Sequence, residues 1–173
     1  MKKETAILTG LIIMCFNSIY QYSWSVFAPQ LSARYGLNLI EVESLFTAYV
    51  IFSTVAQLLG GYLADTRGPR LVGIAASVMS SAGFLGLFGI KSYYPMLVIW
   101  SLGSSGEGML YGIAINAGVK WFGESRGQAT GIISMGFGLG AAILNPLFLL
   151  INNIKEVAIA VFLAEIIVLP PMS

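Results

Sequence analysis

Glu107 is the one charged residue between Lys91 and Lys120. An ionised carboxyl at the centre of a membrane-spanning helix costs about 2.5–3.5 kcal/mol on insertion scales, so such an acid is protonated, paired or wetted. Ser104, Glu107 and Tyr111 recur at i, i+3 and i+7, which puts a hydroxyl, a carboxyl and a phenol on one helical face. Two readings of Glu107 stand side by side. It is a proton-binding site that couples a solute to protons, or a protonated acid hydrogen-bonded to a neighbouring helix with a structural role alone. A second polar face comes from Asn17, Gln21 and Trp24, at i, i+4 and i+7. A polar face within a span points into the bundle, so this one is expected to line an interior cavity. Glu165 is expected near a membrane interface, where a long side chain reaches water.

Other chemistry is excluded by residue type. The chain contains no histidine and a single cysteine, Cys15. A histidine-dependent nucleophile and a disulfide framework are both out of reach. No metal centre and no cofactor are expected. "GFGLGA" follows no strand, so it fails the context of a phosphate-binding loop. With a formal net charge of +1 and no basic cluster, no nucleic-acid partner is expected. No enzyme is read from these residues.

These side chains must be positioned by membrane helices. Of 173 residues, 57% are hydrophobic and 10% charged, against about 25% charged in a soluble domain; mean hydropathy is +0.82. Six apolar runs stand out, at about 6–31, 44–64, 71–90, 95–119, 128–151 and 156–169. A span needs about 20 residues, and lipid-exposed backbone at this depth must be helical. The expectation is an all-α polytopic bundle of about six transmembrane helices, one domain over residues 1–173 with the lipid bilayer as its first partner. The sixth run is short and meets two prolines in "LPPMS". The opening "MKKETAILTGLIIMCF" has no small-residue cleavage box after it and reads as the first span. Lys2, Lys3, Arg67, Arg70, Lys120 and Arg126 fall on one side of the membrane, and Arg34, Lys91 and Lys155 on the other. That bias puts the N-terminus in the cytoplasm of a cell-membrane protein. Gly108/Gly112, Gly127/Gly131 and Gly136/Gly140 are small-residue pairs four apart; they are expected to bring the fourth and fifth spans together. Asn145-Pro146 is expected to kink the fifth.

Between the second and third runs lies "GGYLADTRGPR". Locally it is a tight cytoplasmic turn, with Asp65 expected to end one helix and Gly68-Pro69 to turn the chain. Its pattern, Gly61-x-Leu63-Ala64-Asp65-x-x-Gly68-x-Arg70, resembles the signature loop between the second and third helices of the major facilitator superfamily. The common basic residue after the aspartate is Thr66 here, with Arg67 one place later. "YQYSWSVFAPQL", "GEGMLYGIAINAGVKWF", "ESRGQATGI" and "GFGLGA" look like stretches of the oxalate:formate antiporters and their monocarboxylate-transporter relatives. The resemblance covers about residues 20–147. Gly123 stands where that family commonly has proline, and Glu107 where it predicts a small apolar residue.

The resemblance implies secondary transport of small organic anions, such as oxalate, formate or other monocarboxylates, by antiport or proton symport through alternating access. It implies a substrate cavity at Gln21, Tyr22, Tyr111 and Phe137, to which the polar face adds Trp24. It implies a cytoplasmic gate at Gly61, Asp65, Gly68, Arg70 and Arg126, with Asp65 and Arg70 central. Superfamily members have two six-helix halves with the site between them, and in the resembled oxalate carriers the cations that neutralise a dianion come from the second. No lysine or arginine lies mid-span in this chain, so the expectation is an N-terminal half that needs a second. That second half is a missing C-terminal part, a separate chain or a second copy. The alternative is a non-transporting assembly or regulatory partner of a full-length carrier.

Overall fold

The computed structural model describes residues 3–150, 156–157 and 159–165. They form helices joined by short turns: α1 Lys3–Tyr22, α2 Trp24–Tyr35, α3 Leu39–Arg67, α4 Pro69–Gly89, α5 Tyr93–Phe122 and α6 Arg126–Leu150. A single 3-10 turn, Gly123–Ser125, links α5 to α6. Residues 156–157 and 159–165 are helical too; the rest of the sixth apolar run, with "LPPMS" and Lys155, lies outside the described residues. The chain is a helical membrane bundle.

The helix boundaries follow local chemistry. Asn38 opens α3 with a reciprocal capping box: its side chain accepts from the Glu41 N–H, and the Glu41 carboxylate accepts from the Asn38 N–H, both at 2.9 Å. Asp65 does not end this helix. It continues to Arg67, and the turn falls on Gly68, whose φ of 89° suits a residue without a Cβ. Pro69 then starts α4, where its missing N–H is no loss.

The first span is broken. α1 and α2 meet at a bend of 46° around Ser23. The Ser23 carbonyl accepts from both Val26 and Phe27 N–H groups, at 3.0 and 3.1 Å. The Tyr22 carbonyl accepts instead from the side-chain amide of Asn145 at 3.1 Å, and the Ser23 hydroxyl donates back to Asn145 at 2.5 Å. A backbone group freed inside a membrane needs such a partner. Asn145 therefore plugs the break from α6, and α6 itself runs unbroken through Pro146.

α3, α4 and α6 are each long and apolar enough to cross a membrane, and α1 with α2 counts as a fourth span if taken together. α5, at 30 residues, is about 45 Å long. It is diluted by serines, glycines and Glu107, and it packs against α1, α3, α4 and α6. Its neighbours shield what lipid would not accept.

Glycine decides which helices touch. A Cβ at Gly108 would strike the Ser53 backbone, and one at Gly112 the Gln57 backbone. A Cβ at Gly60 would come within 2.5 Å of the Met109 backbone. These contacts make the α3–α5 pairing the most extensive among the described helices. Gly136 and Gly140 instead admit the α1 backbone at Leu11 and Cys15. The fourth and fifth spans are thus not each other's main partners, as the glycine pairs suggested. Spacing marks a smooth face but not its occupant. Gly127 and Gly131 face open space.

An aromatic cluster fills one end of the bundle. Tyr20 stacks on Trp100 at 4.6 Å between centroids and meets Phe84 edge-on. The Trp100 indole N–H donates to the Leu45 carbonyl at 3.1 Å.

Gly108→Val is expected to destabilise the bundle by about 1–3 kcal/mol through overpacking. Gly131→Ala should stay within about 0.5 kcal/mol of the parent. Thermal unfolding in detergent compares them; equal losses would contradict the α3–α5 assignment.

Candidate functional site

A hollow of about 340 Å³ opens between α1, α3, α5 and α6, lined by Gln21, Tyr22, Tyr49, Gln57, Tyr111, Ser134 and Phe137. Four residues singled out in the sequence, Gln21, Tyr22, Tyr111 and Phe137, come together there. The Phe137 ring meets the edges or faces of Tyr22 and Tyr111 at 5.8 and 5.7 Å between centroids. Two side-chain amides, three phenols and a serine hydroxyl surround it. All are neutral groups able to donate hydrogen bonds, and none is a cation.

Trp24 is not in this hollow. Its ring is buried against Phe46 and Trp100, at 5.7 and 5.9 Å. Its indole N–H meets no hydrogen-bond partner among the described residues. The i, i+7 relation to Asn17 assumed one continuous helix, and the break at Ser23 swings Trp24 into the aromatic core. Asn17 is buried and donates to the Glu107 backbone carbonyl at 3.2 Å.

Glu107 is fully buried and does not line the hollow. One carboxylate oxygen accepts from the Ser53 hydroxyl at 2.5 Å; the other has no hydrogen-bond partner among the described residues. Glu165 is also buried, at 1% exposure, and accepts from the Ser80 hydroxyl at 2.9 Å. It does not reach an interface. The Tyr20 phenol donates to the Ser80 carbonyl at 2.6 Å, so one α4 residue binds both the first span and the last described turn.

The turn between α3 and α4 is tied to α5. The partner of Asp65 is Lys120 of α5, in the only salt bridge among the described residues. Asn116 adds a second hydrogen bond to the same carboxylate oxygen, at 2.7 Å, and reaches the Gly61 carbonyl at 3.4 Å. A Cβ at Gly61 would make only ordinary contacts, at 3.9 Å from the Gly112 carbonyl oxygen, and Gly68 makes the turn. Arg70 and Arg126 are exposed, and neither forms a salt bridge with Asp65.

Several site residues escaped notice in the sequence. Tyr49, Ser53 and Gln57 lie at i, i+4 and i+8 on α3, a polar stripe whose period was readable. Asn116 and Lys120 are likewise one turn apart, opposite Asp65. Ser134 carries no such signal.

The family model described as Major Facilitator Superfamily matches residues 7–169. An uncharacterized 38 kDa protein in the 23S RNA operon of Thermoproteus tenax is 48% identical over 95% of this chain and 44% of its own length. The oxalate:formate antiporter of Oxalobacter formigenes is 30% identical over 89% of this chain and 37% of its own. An alpha-ketoglutarate permease of Bacillus subtilis is 30% identical over 80% of this chain and 32% of its own. The chain thus spans less than half the length of these relatives.

Asp65→Asn and Lys120→Gln are expected to be strongly non-additive, because each removes the same contact. The double variant should unfold at the temperature of the worse single one, with a difference from the parent that shrinks in high salt. Additive shifts would contradict the pairing.

Proposed function

The chain belongs to the major facilitator superfamily, a family of transporters and not of enzymes, and from that footing we propose that it forms the N-terminal half of a carrier for small organic anions. The carrier works by alternating access, as antiporter or proton-coupled symporter, with oxalate, formate or other small carboxylates as substrates. The hollow at Gln21, Tyr22, Tyr49, Gln57, Tyr111, Ser134 and Phe137 carries this reading. Its size lies in the range of small-molecule sites, and its phenols and amides offer donors to carboxylate oxygens without a competing acid on the wall.

Neutral donors alone do not neutralise a dianion taken from water. No described lysine or arginine lies within the body of a span: Arg34 and Lys91 line a hollow at one end of the bundle, while Lys120 pairs with Asp65 at the other. The positive charge therefore comes from a second six-helix half, related to this one about an axis along the membrane normal. The greater length of the relatives supports that partner. The basic turn around Arg67, Arg70 and Arg126 supports a cytoplasmic N-terminus in the cell membrane. At that end the Asp65–Lys120–Asn116 contact ties α3 to α5, so the two move as one unit when the cytoplasmic gate opens.

The test uses a thiol placed in the hollow. In membranes from cells expressing the Cys15→Ser, Ser134→Cys protein, small carboxylates are expected to slow alkylation at position 134 in a saturable way, and neutral analogues of the same size are not. Adding Tyr111→Phe should weaken protection by about 10- to 100-fold, the value of a hydrogen bond to a charged group at ~1.5–3 kcal/mol. Alkylation insensitive to every carboxylate would overturn the assignment.

A further inference from the structure

The substrate hollow and the buried acid share a wall. Tyr49 lines the hollow, and Ser53 follows it one turn further along the same face of α3. Ser53 in turn donates to the Glu107 carboxylate at 2.5 Å. We propose that Glu107 is a proton-binding site held behind the substrate wall, and that it exchanges its proton with the hollow through the Ser53 and Tyr49 hydroxyls. This rests on the carrier reading for its purpose but not for its chemistry.

The α3–α5 crossing builds this line. Gly108, next to Glu107, leaves room for the Ser53 backbone, so the serine hydroxyl falls on the carboxylate. Each hydroxyl has one proton to give and lone pairs to receive another. For uptake, a hydronium in the hollow protonates the Tyr49 oxygen, Tyr49 passes its own proton to Ser53, and Ser53 passes its own to the Glu107 carboxylate. One water is left in the hollow, one proton is added to Glu107, and both hydroxyls end as they began. Release is the reverse.

The surroundings of Glu107 suit a proton and not a metal cation. The titratable groups that face it are Tyr49 from α3, Tyr20 from α1 and Glu165 from the last described turn. None is cationic, and on α4 the Ser80 hydroxyl is engaged by Glu165. Asn17 presents its N–H, not its oxygen, to the Glu107 backbone. A bound metal cation wants about six oxygens; the carboxylate, one serine and one phenol fall short. A proton needs only one carboxylate oxygen, and the Ser53 hydroxyl already points at one. With Glu107 protonated, an anion in the hollow meets no Glu107 charge behind the wall. Proton and anion are thereby coupled without touching.

Infrared spectra of the full chain in bilayers, without substrate, read this directly. The carbonyl stretch of a protonated carboxylic acid is expected to be present, to respond to a pH jump, to vanish in Glu107→Gln and to persist in Glu165→Gln. Glu107→Asp, which keeps the acid and shifts the band, supplies the assignment if the amide variant fails to assemble. Tyr49→Phe and Ser53→Ala should keep the band but slow its response on the order of a hundredfold. The proposal is overturned if Glu107→Gln leaves every such band intact, if both relay variants respond at the parent rate, or if sodium at constant pH abolishes the band. A normal band and relay, with no carboxylate protection at position 134, would sink the carrier reading alone.

Discussion

The crossing of α3 over α5 is the constraint on which the rest depends. Three glycines, Gly60, Gly108 and Gly112, remove the side chains that would hold these helices apart. Backbone then approaches backbone, and the α3 stripe of Tyr49, Ser53 and Gln57 is pressed against Glu107 and Tyr111 of α5. From this single contact follow one side of the hollow, the burial of the acid and the alignment of Asp65 with Asn116 and Lys120 near the α3–α4 turn. The hydrophobic effect does not drive such a contact in lipid; packing and interhelical hydrogen bonds do. Polar residues here hold the helices together.

The wall separates two kinds of charge chemistry. On the open side, phenols and amides offer hydrogen-bond donors to an anion while repelling nothing. On the closed side, a carboxyl with a single hydroxyl partner sits where an ionised group has little support. Had Glu107 lined the hollow, it would have opposed any carboxylate that entered. Its placement one layer behind removes that conflict. Glu165, the second buried acid, is held by Ser80 of α4, whose carbonyl also accepts from Tyr20 of the first span. Two buried acids in one bundle thus have different surroundings and different consequences.

Much of this was legible in the sequence, and the failures have definite causes. Long apolar runs gave the helical bundle, because a bilayer permits little else. The Asp65 turn and the aromatic positions Tyr22, Tyr111 and Phe137 were readable through family resemblance. Trp24 was misplaced because periodicity assumes a straight helix, and nothing in "QYSWS" announces a bend that Asn145, over a hundred residues away, makes tolerable. The glycine pairs identified smooth faces but could not say whether Ser53, Leu11 or open space lay opposite. Glu165 was read from its position in the chain, while its burial depends on Ser80 in a distant helix. Tyr49 and Gln57 are a different sort of miss: the stripe was there, unremarked, among more apolar neighbours.

The central claim is that this bundle forms part of a pathway for small organic anions. Counterflow tests it most directly. The protein is purified from membranes with whatever second half it retains, reconstituted into vesicles loaded with unlabelled carboxylate, and given labelled formate or oxalate outside. The account predicts transient accumulation of label that depends on the internal carboxylate. Uptake no greater than in empty vesicles, across formate, oxalate and larger carboxylates, would contradict it.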